Sequence, residues 1–155
     1  MSTTKVSDKV AKRRLLALAD KLEAIPENQF DFGTFGEVPS GSSASKGTDI
    51  LKESNFCGTT ACALGWAPAL PFAKKMGFAN TLVRTGDYTG TSFTKNGRIV
   101  GPYQVAKALF GLSTQAFSFL FHPDSHMGGM TSPKSDAFAS DVAEHIRNYV
   151  SIRYA

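Results

Sequence analysis

Cys57-Gly58-Thr59-Thr60-Ala61-Cys62, followed four residues later by Trp66, gathers both cysteines, a threonine pair and the only tryptophan of the chain into ten residues. The first chemistry these residues offer is anion binding. With Thr59 as N-cap, the amides that follow have no intrahelical partner and carry partial positive charge. They attract phosphate or carboxylate. Gly58 lets a ligand approach the backbone. Trp66 or a nearby Phe would wall the pocket beside Cys57, Gly58, Thr59 and Thr60, and Lys52 or Arg84 would balance the charge. The Gly-Lys-Ser/Thr ending of a P-loop is missing. The plain alternative is a capped core helix whose cysteines pack as small apolar groups.

Two further chemistries use the thiols. A thiolate near a helix N-terminus has a lowered pKa, and His122, His126 or His145 would be its base. Nothing in the spacing places a histidine beside either cysteine, and no cysteine-hydrolase signature is present. Cys57-x4-Cys62 with His122-x3-His126 also counts as two Cys and two His, which suits tetrahedral zinc. The two pairs stand sixty residues apart, so surface histidines are the simpler reading. No catalytic residue, metal or cofactor is therefore assigned, and an enzyme is the lesser expectation.

The elements that would position this block follow from periodicity. Val6 to Ile25 reads as a helix, with Ser7 as N-cap, Leu15, Leu18, Ala19, Leu22 and Ile25 as its apolar stripe, and Pro26 closing it. Gln29 to Phe35, with three phenylalanines, reads as an extended strap. Residues 37–49, rich in Ser and Gly, read as a flexible loop. A second, largely buried helix should begin near Thr59 or Thr60 and run through Trp66. Pro68 and Pro71 should then break it, and a short helix, Phe72 to Met76, should stop at Gly77. Residues 80–101 switch character, and Asn96-Gly97 between strand-like runs predicts a type I′ hairpin in a sheet of two or three antiparallel strands. Pro102 to Phe110 reads as a helix ended by Gly111, and Ser113 caps another that reaches Phe121. His122 to Met130 reads as loop. Ser132 and Pro133 are expected to start the last helix, with Phe138, Val142, Ile146, Tyr149 and Val150 on its buried stripe. The expected architecture is mainly α (α+β): residues 1–155 as a single domain of about five helices with a small antiparallel β-hairpin.

Charge and composition bound the function. The chain of 155 residues has 17 Lys and Arg against 13 Asp and Glu, a mild excess. Lys5, Lys9, Lys12, Arg13 and Arg14 crowd the first fourteen residues. They read either as a phosphate-facing patch or, more simply, as a solvated helix face. No apolar run is long enough to span a bilayer, and no signal-peptide pattern opens the chain; a cytoplasmic protein without a membrane partner is expected. Two reduced cysteines fit that compartment. Val105 to Phe121 has a helix–Gly–helix shape, but its second helix lacks Lys and Arg, so sequence-specific DNA reading is not expected. Phe117, Phe119 and Phe121 are candidates for an exposed aromatic patch that contacts a partner protein or a second copy of the chain.

Four blocks of the sequence carry a resemblance. They are Leu15-Leu16-x-Leu18-Ala19-Asp20-x-Leu22-Glu23, Phe30-Asp31-x-Gly33, Cys57-Gly58-Thr59-Thr60-Ala61-Cys62-Ala63-x-Gly65 and Ala106-x-x-Leu109-Phe110-Gly111-Leu112-Ser113. Together they resemble a group of small phage and bacterial proteins of unknown function. The resemblance implies a virus-associated or bacterial cytosolic setting and favours binding over catalysis. The reading is a non-enzymatic phage-associated protein that sequesters a small anionic, nucleotide-like ligand. The alternative is a protein-interaction module that inhibits a host factor or forms a homo-oligomer.

Overall fold

Ser7 opens the first helix as its place before the apolar stripe predicts. Its hydroxyl accepts from the Val10 amide at 3.3 Å, and α1 runs Asp8–Ala24. The computed structural model describes residues 6–25, 63–85, 88–122, 125–127, 130–134 and 137–154, with 82–85, 88–91 and 126 as backbone only. The expected strap at 29–35 and the loop at 37–49 lie outside the described residues.

Leu15, Leu18, Ala19 and Leu22 are fully buried along one side of α1. The last helix, α6 (Ala139–Arg153), lies against that side and contributes Val142, Ala143, Ile146 and Val150 to the same core. Each buried Leu or Ile stabilises such a pair by about 1.5–3 kcal/mol. Arg147 of α6 bridges back to Asp20 (2.7 Å) and to Glu23 on the exposed edge of α1. Among the described residues the remaining α-helices are α2 (Ala63–Trp66), α3 (Pro71–Lys75), α4 (Pro102–Phe110) and α5 (Thr114–Phe121). Proline sets three of the boundaries in this series. Pro68 sits inside a 3-10 turn, Ala67–Ala69, that ends α2, while Pro71 and Pro102 occupy first turns, where a missing N–H costs nothing. Ser113 caps α5 by accepting from the Ala116 amide at 3.2 Å.

Between α3 and α4 the chain forms an antiparallel sheet in the order β1 (Phe78–Thr85), β2 (Tyr88–Lys95), β3 (Arg98–Val100). Asn96 and Gly97, at φ 51° and 83°, make the expected type I′ turn between β2 and β3. Gly77 joins α3 to β1 at φ 89°. A Cβ there would overlap the side-chain oxygen of Asn96, and its carbonyl accepts from the Asn96 amide at 2.9 Å. The hairpin tip is thus clasped to the end of α3. The fold is mainly α with a small antiparallel sheet, as the periodicities predict.

Three expectations fail at the end of the chain. First, Ser132 does not cap the last helix. Its hydroxyl accepts from the Ser125 amide (2.7 Å) and donates to the His122 carbonyl (2.8 Å), pinning the base of a small hairpin. Second, that hairpin, β4 (His126–Met127) with β5 (Met130–Thr131), replaces part of the expected loop. Third, α6 begins at Ala139, where Asp141 Oδ2 accepts from the Phe138 amide at 3.1 Å. Phe138 then precedes the helix and is 57% exposed, so it does not belong to the buried stripe.

Candidate functional site

The block that the sequence singles out leads into α2, and all four residues of this short helix are buried. The Gly65 carbonyl accepts from Asn80 Nδ2 of β1 at 3.2 Å. Asn80 is almost completely buried, so this bond offsets the desolvation of its amide and locks α2 to the sheet. Trp66, the last residue of α2, packs into the core with Lys21 Nζ over its ring at 5.9 Å from the centroid.

Seven residues earlier on α1, Arg14 makes a parallel contact. Its guanidinium lies over Phe72 of α3 at 5.0 Å and donates from Nη1 to the Leu109 carbonyl at 2.8 Å. That carbonyl belongs to the last turn of α4, where a cation complements the helix dipole. The Arg14 Nε is buried without a hydrogen-bond partner among the described residues. Burial lowers the pKa of Arg14, and neighbouring Arg13 lowers it further. Two helical turns, about 10 Å along the axis, separate Arg14 from Lys21. One edge of α1 therefore sets two cations on the two aromatic rings that flank the α2–α3 segment, a seam of cation–π contacts.

The residues expected at the site are distributed as follows. Trp66 lies in this seam. Arg84 lies in β1 opposite Thr89, four positions, or about 13 Å, beyond Asn80 along the strand. Lys52, Cys57, Gly58, Thr59 and Thr60 lie outside the described residues, as does the expected start of α2. Lys21, Arg14 and Asn80 are the neighbours that sequence reasoning missed. The available signal was the seven-residue step from Arg14 to Lys21, which puts both on one border of the apolar stripe.

The N-terminal cations do not act as one group. Lys9, Lys12 and Arg13 are exposed, whereas Arg14 is half-buried in the seam; Lys5 lies outside the described residues. The histidines are also apart in role. His145 Nε2 lies 2.9 Å from the Phe119 carbonyl, and its ring packs 4.5 Å from that of Phe119. Burial lowers its pKa, and the carbonyl contact partly opposes this. The His122 ring meets the edge of Phe117 at 5.0 Å, and His126 pairs with Thr131 in the β4–β5 hairpin. Among the described residues no group of three or more His, Cys, Asp or Glu is placed to hold a metal.

The expected aromatic patch is corrected. Phe117, Phe119 and Phe121 are 8%, 1% and 1% exposed. They are buried because α5 is enclosed by α4, α6 and β4, and their rings interlock. Phe121 meets Phe110 at 6.1 Å and Phe117 at 6.1 Å, and Phe119 meets Tyr149 at 6.3 Å. Among the described residues no helix is long and apolar enough to cross a membrane. No protein family, no curated protein and no solved structure matches this chain.

Proposed function

We propose that this is a non-enzymatic binding protein that holds a small anionic, nucleotide-like ligand where the Cys57-Gly58-Thr59-Thr60 block turns into α2. The observation that carries the reading is the cation over Trp66: Lys21 reaches the helix that this block feeds. The proposal needs free amides at Thr59 and Thr60 and close backbone approach at Gly58, and it draws its positive charge from Lys21, which is held against an aromatic ring. That set suits a phosphate group. Lys52 and Arg84 remain further candidates for charge balance. The resemblance to small phage and bacterial proteins supports a phage-associated or bacterial cytosolic setting. Host-factor inhibition and homo-oligomer formation are weaker readings, because the three phenylalanines offered for them are buried.

Calorimetry against mono-, di- and cyclic nucleotides tests the reading. Binding of at least one class is expected, with Lys21→Met weakening it about tenfold, the loss of one charge-assisted contact. No heat with any nucleotide, in protein shown to be folded, would end it.

A further inference from the structure

The excess of positive charge is localised. Of the 17 Lys and Arg, six fall in residues 63–122, namely Lys74, Lys75, Arg84, Lys95, Arg98 and Lys107, against one of the 13 acids, Asp87. That stretch is therefore +5, and the rest of the chain, at −1, brings the total to +4. The fold then concentrates part of it. Lys74 and Lys75 end α3, and Lys95 and Arg98 flank the Asn96-Gly97 turn. The clasp between Gly77 and Asn96 lies within three residues of all four, and all four are exposed.

The arrangement is unfavourable by itself. Lys95 and Arg98 are direct register partners across β2 and β3, and like charges placed opposite one another destabilise a hairpin. Among the described residues the ion pairs are those of Arg147, and none involves these four cations. Lys95 is held in place, its Nζ 5.4 Å from the centre of the Phe78 ring. The β2–β3 turn, on the edge-strand side of the three-stranded sheet, thus carries paired cations beside a second pair at the end of α3. A polyanion would turn that repulsion into binding.

We infer that the β2–β3 hairpin tip, with the end of α3, is a docking surface for the phosphate backbone of a nucleic-acid duplex. A duplex presents its phosphates as a continuous polyanion that such a cluster of exposed cations complements, and contacts to phosphate position a protein without reading sequence. A membrane surface fits less well. Peripheral binding needs buried apolar area beside the charge, and the described part of this hairpin offers Ile99 alone. The proposal uses none of the residues proposed for the Trp66 corner, so either can fail without the other.

Fluorescence anisotropy of the full chain with a labelled DNA duplex of arbitrary sequence, about three helical turns long, tests the inference across a salt series. Binding should weaken steeply as salt rises. Lys95→Gln with Arg98→Gln should weaken it about tenfold and flatten the salt slope by about two, the loss of two phosphate contacts. Lys74→Gln with Lys75→Gln gives an independent reading from the helix side, and should act in the same direction. Lys9→Gln with Lys12→Gln removes the same charge from exposed positions on α1 and should cost less than about twofold. Circular dichroism checks that each variant is folded. Three outcomes would overturn the inference: no binding to the duplex at low salt, equal loss in the α1 control and the hairpin variant, or binding to anionic lipid vesicles with none to the duplex.

Discussion

The helical core and the hairpin are stabilised by different physics. In the core, α1, α4, α5 and α6 bury aliphatic stripes and interlocking rings, and charges stand at the rim. Two of those at the rim are met by neighbours, Arg147 by Asp20 and Glu23 and Arg14 by the last turn of α4. In the hairpin, few large side chains are buried, the turn and the Gly77–Asn96 clasp fix the geometry, and cations face one another across the strands. The first arrangement gives up little if nothing binds. The second leaves a repulsion that folding alone does not relieve, and that is why the hairpin draws attention as a surface for a partner.

The contrast predicts graded sensitivity to mutation. Phe119→Ala should be the most damaging change, about 3–5 kcal/mol by urea denaturation, because its ring packs on both His145 and Tyr149. Ile99→Ser, at a position 70% exposed on the hairpin, should stay within about 0.5 kcal/mol. Equal costs at the two sites would break the comparison. Gly77→Ala should come next, at about 1–3 kcal/mol, because it strains a positive φ and collides with Asn96. Its signature should be local: amide exchange should quicken in the hairpin and not in α1 or α6. Arg14→Met should cost about 1–2 kcal/mol by removing the donor to the Leu109 carbonyl.

The pH dependence is a smaller effect and comes from the core. The His145 pKa is lowered by burial, so the unfolded chain takes up the proton first. The stabilising contribution is present above the ordinary histidine range and is lost as pH falls through the lowered value. Tyr149 is pushed up to about 12, first by burial. Its contribution is present below the ordinary tyrosine range near 10 and is lost as pH rises toward 12. The melting temperature should therefore fall at both ends. His145→Gln should flatten the acid limb and Tyr149→Phe the alkaline limb.

What the sequence discloses here is set by the range of the interaction. Asn96-Gly97, Ser113 and the prolines at 71 and 102 act within a few residues, so the turn, the cap and the helix starts are readable locally. Ser132-Pro133 has the same local pattern as a helix start. Ser132 instead bonds to a carbonyl ten residues back, a choice that only tertiary packing makes. Phe117 and Phe121 share one face of α5, one turn apart, and Phe119 points to another, which makes exposure of one of the two faces a fair expectation. They are all buried because α5 has neighbours around it, which periodicity does not encode. At the candidate site, Trp66 is evident by its rarity. Lys21 and Arg14 are not, because a cation over a ring is identified only once α1 and the α2–α3 segment are side by side.

The most direct test of the anion-site proposal uses the single tryptophan as its reporter. Trp66 emission, followed during titration with the nucleotide panel, should change saturably for at least one ligand, and Lys21→Met should shift the midpoint about tenfold to higher concentration. Emission that stays flat for every nucleotide, together with flat calorimetry on the same folded sample, would contradict the proposal.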